Sequence, residues 1–456
     1  MGNNPDTICA ISTPLGRGAI SLIRVSGENS IPLVSKVFTG SKKPKEVKGG
    51  SIIHGWIQDP DRKEKIDEVL LFVFRKPKSY TGEDLVEIST HGGTVIPMKV
   101  LHLLLKQGAR LAEPGEFTRR SFLNDKMSLL EAEALLNVIQ SKTERGARLA
   151  ERNLDGRLQE EISGIKSDLL EVKTLLEATL DFDESDGLQI ESKEIFDKIQ
   201  KLNKRLKTLA SSYDGGRILM DGIRFAIVGK PNVGKSSLFN TILHEDRAIV
   251  TRDPGTTRDT IEGTVDIDGY PVSFMDMAGI RSPLSEVERI GVERALEMAH
   301  SSDGILFVLD GSEPIIEADK RIYETILGKP FITVVNKCDL PKKVESTPFP
   351  GEPVFVSAKE RTGIDKLNDA IINLIQEILP DGFGEGIVCT TERQRDEIKK
   401  AIRLLNQSLE VLSKGRDLEL VAFNVNEAID RLKELTGEIT QEDVLNQIFS
   451  RFCIGK

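Results

Sequence analysis

The stretch Phe225-Ala226-Ile227-Val228-Gly229-Lys230-Pro231-Asn232-Val233-Gly234-Lys235-Ser236 decides the fold. Four apolar residues in a row read as a strand. The glycine-bounded loop that follows opens a helix predicted over 236–243. Strand, Gly-x-x-x-x-Gly-Lys-Ser loop and helix in that order form a phosphate-binding P-loop. Backbone N–H groups at the helix N-terminus face phosphate oxygens, Lys235 neutralises the β and γ oxygens, and Ser236 offers an oxygen to Mg2+. Asn232, Val233, Gly234, Lys235, Ser236 and Ser237 are therefore assigned to the nucleotide.

Working outward, three further fragments come in the order a GTPase requires, each after a predicted strand. Asp276-Met277-Ala278-Gly279 follows Val272 to Met275 and puts Asp276 in the Mg2+ shell and Gly279 at the γ-phosphate. Asn336-Lys337-Cys338-Asp339 follows Phe331 to Val335. The Asp339 carboxylate accepts from both N1–H and N2–H2 of guanine, which adenine does not offer, so this loop selects GTP. Asn336 and Lys337 are expected to brace the loops and stack on the base. Ser357-Ala358-Lys359 follows Val354 to Val356 and directs the Ala358 N–H at guanine O6. Ligands of open α/β sheets bind at that strand edge.

The hydrolytic apparatus departs from the small-GTPase pattern. Ile280 stands where a Ras-like enzyme carries its water-orienting Gln, so another group must position the nucleophile. Glu286-Val287-Glu288-Arg289 offers carboxylates that either fold back over the γ-phosphate or start a solvated acidic helix. Arg252-Asp253-Pro254-Gly255-Thr256-Thr257-Arg258-Asp259 lies where the first switch loop belongs, with Thr257 completing Mg2+ coordination.

The flanks differ in period. From Thr7 to about Phe117 short alternating runs (Gly18 to Val25, Asp67 to Phe74, Asp84 to Ser89) read as strands of an α+β domain. Val95 to Leu105, closed by Gly108, reads as a helix. Ser128-Leu129-Leu130-Glu131 has capping-box spacing. Helical stripes follow through Ile162, Ile165, Leu169, Val172, Leu176 and Leu180, and through Ile195, Ile199, Leu202, Leu206 and Leu209. The stripe stops at Asp214-Gly215-Gly216 and resumes after Pro380-Asp381-Gly382-Phe383-Gly384 with Ile398, Ile402, Leu405, Leu409 and Leu412. An α-helical bundle with the α/β P-loop domain inserted between its halves accounts for both seams; four domains in a row is the competing arrangement. The expected divisions are 1–121 for the N-terminal domain, 122–217 and 382–456 for the helical domain, and 218–381 for the GTPase domain.

Composition narrows the class. A chain of 456 residues with 39% hydrophobic and 29% charged residues folds around real cores, and at ~150 residues per domain it holds about two to four of them. No apolar run reaches the ~18 residues of a bilayer span. The start, Met1-Gly2-Asn3-Asn4-Pro5-Asp6, shows neither a basic nor an apolar export region. Cys9, Cys338, Cys389 and Cys453 make neither a disulfide framework nor a metal spacing. A net charge of −10 disfavours a general grip on phosphate backbones. A reduced, cytoplasmic protein is expected.

The P-loop Gly229 to Ser236, Pro254-Gly255-Thr256-Thr257-Arg258-Asp259 and the terminal Phe452-Cys453-Ile454-Gly455-Lys456 together resemble the tRNA-modification GTPases, the MnmE or TrmE family. Thr81-Gly82-Glu83-Asp84, His91-Gly92-Gly93 and Glu113-Pro114-Gly115-Glu116-Phe117-Thr118 resemble that family's N-terminal domain, so the likeness covers essentially the whole chain. It implies a tetrahydrofolate-binding-like N-terminal domain that mediates homodimerisation. Arg24, Glu87, Lys126 and Lys456 fall where the family binds (6S)-5-formyl- or methylene-tetrahydrofolate. Glu87 shares a strand face with Ser89, so a solvated residue is the alternative there. The resemblance also implies K+-activated hydrolysis, with Asn232, Thr251, Asp253 and Thr256 around the ion and Glu288 orienting water. The nucleotide-binding set then extends through Thr251, Arg252, Asp253, Pro254, Gly255, Thr256 and Thr257, and includes Met277 and Ala278. Met277 stands where Thr is usual in the family, and Arg252-Asp253-Pro254 replaces a more apolar stretch. Cys453 is either a nucleophile or acid in one-carbon chemistry or a small packing residue. The implied activity, with an FAD-dependent partner of the GidA/MnmG type in a heterotetramer or larger complex, is modification at C5 of the wobble uridine of certain tRNAs. Arg145, Arg148 and Arg152 form a stripe that either touches tRNA or is solvated. The alternative is a ribosome-assembly GTPase switch, which shares the Pro-Gly-Thr-Thr-Arg-Asp motif; the GXXG-loop RNA-binding module usual to that class is not found here.

Overall fold

The computed structural model describes residues 6–181, 192–245, 248–249, 261–276, 302–379, 386–415 and 417–456. Two compact units result: Met1–Leu136 with Leu432–Lys456, and Asn137–Arg431.

In the first unit, β1 (Ile8–Ile11), β2 (Ile20–Ser26), β3 (Phe38–Gly40), β4 (Ser51–Gln58), β5 (Lys65–Phe74), β6 (Leu85–His91) and β7 (Arg110–Leu111) form one sheet. Its order is β3-β4-β5-β6-β2-β1-β7. Every pairing is antiparallel except β1 with β7. The period-2 reading of the sequence fixes its register. Ile23, Val25, Val69, Leu71, Val73, Val86 and Ile88 point inward and are buried. They pack against α1 (Ser30–Val37) and α2 (Val95–Lys106) through Ile31, Val34, Val100 and Leu104. The alternate residues Ile20, Ile52 and Leu70 remain exposed, so the second face is open there; at β1 it is covered as well, by Phe117 and Tyr80 packed with Ile8 and Ala10. Gly108 follows α2 at φ +104°, as its reading as a C-cap glycine requires. α3 (Glu116–Leu123), the start of α4 (Leu129–Gln140) and α14 (Glu442–Phe449) build a smaller core from Leu129, Leu445, Phe449 and Phe452. The Ser128 capping box forms: Ser128 N donates to Glu131 Oε2 at 2.6 Å, and Glu131 N to Ser128 Oγ at 3.2 Å.

The second unit holds α5 (Glu144–Leu154), α6 (Arg157–Asp181), α7 (Ser192–Ser211) and α8 (Tyr213–Asp221), then a second seven-stranded sheet. Its strands are β8 (Ile223–Val228), β9 (Ala248–Ile249), β10 (Ile261–Ile267), β11 (Tyr270–Asp276), β12 (Gly304–Asp310), β13 (Phe331–Asn336) and β14 (Val354–Phe355), in the order β14-β13-β12-β8-β11-β10-β9. Pairing is parallel from β14 to β11 and antiparallel at β10 and β9. All seven residues of β12 are buried. One face packs with α9 (Lys235–Glu245) and α11 (Ile364–Ile378) through Leu238, Leu306, Val308 and Ile371. The other packs Phe307, Leu309, Tyr323 and Phe349 around α10 (Glu317–Thr325).

The helices before and after this sheet pack on one another. α7 lies along α12 (Glu392–Ser413), where Asn203 Nδ2 donates to Asn406 Oδ1 at 2.8 Å. Lys173 of α6 donates to Asn426 of α13 (Leu418–Thr436) at 2.9 Å. The α/β domain is thus inserted within a helical one. One boundary signal differs from its reading. Asp214-Gly215-Gly216 lies inside α8, and both glycines are buried. A Cβ on Gly216 would strike the Cys389 carbonyl, so Gly216 serves a close approach of two chain segments, and neither glycine ends a helix. The second seam, Pro380 to Gly384, lies outside the described residues.

Candidate functional site: a nucleotide edge

β8 sits between β12 and β11, so the chain leaves the middle of the sheet into the P-loop at the point where strand order reverses. Asn232 (φ +65°) and Gly234 (φ +96°) take left-handed backbone, turning the loop onto the start of α9. A Cβ at Gly229 would strike the Val308 carbonyl, and one at Gly234 would strike Asn336 Nδ2, so both positions require glycine. Lys235 Nζ donates to the carbonyls of Gly229 at 2.9 Å and Lys230 at 2.7 Å. Ser236 and Ser237 lie exposed on the first turn of α9.

The guanine loop is tied to this cradle by Asn336. Its Nδ2 donates to the Val233 carbonyl at 2.9 Å, and its Oδ1 accepts the Ala358 N–H at 3.0 Å. The Ala358 N–H assigned from sequence to guanine O6 is therefore engaged with Asn336. Lys337, at φ +64°, places Nζ 2.6 Å from Asp310 Oδ2 at the end of β12. Burial works to raise the Asp310 carboxyl, but hydrogen bonds from Lys337 and Ser312 outweigh it and hold it below the ordinary carboxylate value. The Asp339 carboxylate accepts from Ser357 Oγ at 2.6 Å, and that bond lowers its pKa. Its second oxygen is oriented as a consequence. Lys359 is exposed, 3.6 Å from Glu360.

Two carboxylates of this edge escaped the sequence reading. Asp310 fixes Lys337, and buried Asp319 lies 3.0 Å from Lys230. The available signal was position alone: Asp310-Gly311-Ser312 ends an apolar strand, as the recognised fragments do. Thr251, Arg252, Asp253, Pro254, Gly255, Thr256, Thr257, Met277, Ala278, Gly279 and Glu288 lie outside the described residues; Asp276 ends β11.

In the N-terminal sheet, Arg24 and Glu87 are direct cross-strand partners, with Arg24 Nη2 to Glu87 Oε1 at 2.7 Å and Nε to the same oxygen at 2.9 Å. The pair is largely buried, which removes the reading of Glu87 as a solvated residue. Arg24 also donates to the Gly455 carbonyl at 3.3 Å and lies 4.9 Å from the Tyr80 ring centroid. Burial, then the nearby Arg24 cation, hold Lys456 below its ordinary pKa against the pull of Glu87 and Cys453. Three of the four folate candidates thus converge. Lys126 is exposed beside Gly82. Cys453 is exposed and Phe452 is buried, so the packing role falls to Phe452. The arginine stripe is engaged within the chain: Arg145 pairs with Asp268 at 2.7 Å over the Tyr270 ring, and Arg148 pairs with Glu144.

A phosphate loop and a guanine-selecting loop locked together at the carboxyl edge of a mainly parallel sheet define a P-loop GTPase. The family described as "MnmE helical domain" matches residues 129–453, and that described as "GTP-binding protein TrmE N-terminus" matches residues 7–126. The chain is 41% identical over 460 residues to the tRNA modification GTPase MnmE of Thermoanaerobacter pseudethanolicus, covering 99% of each. It is 42% identical over 462 residues to that of Carboxydothermus hydrogenoformans, again covering 99% of each. Among solved structures, a single-residue variant of Aquifex aeolicus Era bound to GDP.AlF4- is 29% identical, covering 40% of this chain and 66% of that one, with a TM-score of 0.27. The chain belongs to the MnmE family of tRNA-modification GTPases. No described helix is long and apolar enough to cross a membrane.

Proposed function

We propose that this protein is a K+-activated GTPase. With an FAD-dependent partner of the GidA/MnmG type, it serves addition of a carboxymethylaminomethyl group at C5 of the wobble uridine of certain tRNAs. The observation that carries the reading is Asn336, which joins the phosphate cradle to the guanine loop, in a chain matched over nearly its whole length by tRNA modification GTPases.

In this reading water attacks the γ-phosphorus, the bond to the bridging oxygen breaks, and GDP and phosphate leave. Lys235 and the α9 N-terminus hold the phosphates, while Ser236, Thr257 and Asp276 serve Mg2+. Asn232, Thr251, Asp253 and Thr256 hold K+, which supplies charge stabilisation that an arginine gives elsewhere. The exposed position of Asn232 on the outer turn of the loop suits that role. Glu288 orients the water, and Asp339 with Ser357, Ala358 and Lys359 frames the base.

The Arg24–Glu87 pair beside Lys456 suits the pterin end of a folate, since Glu87 offers acceptor oxygens to its donor edge and the two cations offer donors to its ring acceptors. Cys453, exposed at this site, is accessible for one-carbon chemistry. The open apolar face with Ile20, Ile52 and Leu70 supports homodimerisation of the N-terminal domain. We assign 1–121 to that domain, 122–217 and 382–456 to the helical domain and 218–381 to the GTPase domain, in a cytoplasmic complex with the flavoprotein and tRNA.

Deletion in cells followed by mass spectrometry of digested tRNA tests the reading. Wobble uridines lacking the carboxymethylaminomethyl group are expected. Unchanged uridines with defective ribosomal subunit profiles would instead indicate a ribosome-assembly switch. In the purified protein, GTP turnover should be several-fold faster in KCl than in NaCl, and equal rates would remove K+ from the mechanism.

A further inference from the structure

The P-loop carries two lysines, and the structure separates their tasks. Lys235 Nζ donates to the Gly229 carbonyl at 2.9 Å and to the Lys230 carbonyl at 2.7 Å, so the direction of the Lys230 carbonyl sets where the phosphate-binding ammonium rests. The Lys230 side chain runs the other way. Its Nζ lies 3.0 Å from Asp319 Oδ2, with side-chain exposures of only 13% and 3%. The same carboxylate oxygen accepts the Ile316 N–H at 3.0 Å and so starts α10. One carboxylate therefore joins the second residue of the P-loop to the segment descending from Asp310, the residue that holds Lys337 of the guanine loop.

We propose that Asp319 is a positioning residue for GTP. It keeps the Lys230 cation out of the phosphate cradle and anchors the peptide on which Lys235 rests. A cation this buried needs a counter-charge. With Asp319 neutralised, that cation would turn toward the phosphate oxygens held by the same loop, and leaving its place would rotate the Lys230 carbonyl away from Lys235. Pro231, with its fixed φ, passes such a rotation directly into the loop.

This inference rests on the reading of the edge as a GTP site, and the affinity of the unaltered protein tests that reading separately. Asp319→Asn keeps an oxygen to accept the Ile316 N–H while removing the charge. In the full-length protein, titrated with a fluorescent GTP analogue, we expect Asp319→Asn to weaken binding about tenfold, the loss typical of a broken buried pair with one polar contact retained. Lys230→Met alone should weaken it a few-fold, and Asp319→Asn combined with Lys230→Met should bind as Lys230→Met does. A role confined to capping α10 would instead give the same fold-loss in both backgrounds. That result, or binding by Asp319→Asn within twofold of the unaltered protein, overturns the proposal. Should Asp319→Asn not fold, Lys230→Met decides: unchanged GTP affinity in that variant overturns the proposal as well.

Discussion

The two seven-stranded sheets of this molecule solve the burial problem in opposite ways. The parallel sheet is covered on both faces, and neighbouring residues such as Leu306 and Phe307 are equally buried. The N-terminal sheet leaves part of its second face open, so Leu71 is buried while Leu70 is 43% exposed. The difference decides where chemistry can sit. A sheet sealed on both faces offers a ligand only its carboxyl edge, and there the P-loop, Asn336 and Asp339 gather. A sheet with a partly open second face can carry polar residues on it, and there the Arg24–Glu87 pair lies across two central strands, beside the Tyr80 and Phe117 rings. The nucleotide edge is built from loops that follow the strands, whereas the Arg24–Glu87 pair is part of the strand pairing itself.

The largest effect expected from this contrast is at the edge. Asp339→Asn should cost GTP affinity ~1000-fold or more, because the amide presents a donor where guanine also presents donors. Xanthine nucleotides, which carry an acceptor at C2, should gain correspondingly. Thermal unfolding should be nearly unchanged, since among the described residues the Asp339 carboxylate takes a side-chain hydrogen bond from Ser357 and is otherwise solvent-facing toward Lys337 and Lys359. Competition titrations of GTP against XTP check the outcome, and retained preference for GTP would break the assignment of this loop.

Next in size is a test of coverage itself. Truncating buried aliphatic residues to Ala costs about 2–5 kcal/mol, and truncating buried Phe about 3–5 kcal/mol. Leu306→Ala and Phe307→Ala should therefore both destabilise the inserted domain strongly. In the N-terminal sheet the neighbours should split: Leu71→Ala costs about 2–5 kcal/mol, whereas Leu70→Ala stays within about 1 kcal/mol. Denaturant unfolding of the four variants gives the pattern. A strong loss at Leu70 would show that its face is buried in the protein's working assembly, which is what homodimerisation through it requires.

How much of this could be read in the sequence follows from which residues have few alternatives. The P-loop was legible because its glycines answer to backbone geometry: Gly234 faces Asn336 too closely for any side chain. The helical stripes were legible because burial follows period. Ile162, Ile165, Leu169, Val172 and Leu176 are all buried, while Leu180, beyond the packed length, is 41% exposed. Gly215-Gly216 misled because glycine marks both a helix end and a close approach of two chain segments, and only the Cys389 carbonyl against Gly216 distinguishes the two. Asp310 was legible only by its position at the end of an apolar strand, and Asp319 was not legible. Their partners, Lys337 and Lys230, lie 27 and 89 residues away, and an acid at the end of a strand or the start of a helix has many ordinary reasons to be there. The Arg24–Glu87 pair entered through resemblance, and its cross-strand geometry supplied the physical reason afterwards.

The smallest effect, and the one that separates the sheets by pH, concerns His91. Its Nδ1 lies 2.7 Å from Asp67 Oδ1, and its backbone N–H donates to the other oxygen of that carboxylate. The hydrogen bond to Asp67 raises the His91 pKa above its ordinary 6.5. A raised pKa means the protonated ring is favoured by folding. The contribution is fully present below the unfolded value and disappears as pH rises through the folded one. Relative to His91→Gln, the N-terminal domain should show a slightly higher Tm at about pH 5.5 that shrinks to nothing by about pH 8.5. The nucleotide edge should behave differently over the same window. Asp310 and Asp339 have pKa values lowered from 3.8, so what they contribute is lost only as pH falls through those lowered values, far below neutrality. GTP affinity should accordingly stay flat while N-terminal stability slopes. A GTP affinity that tracks the slope would show that the two sheets are coupled, and the separation of edge from face would fail.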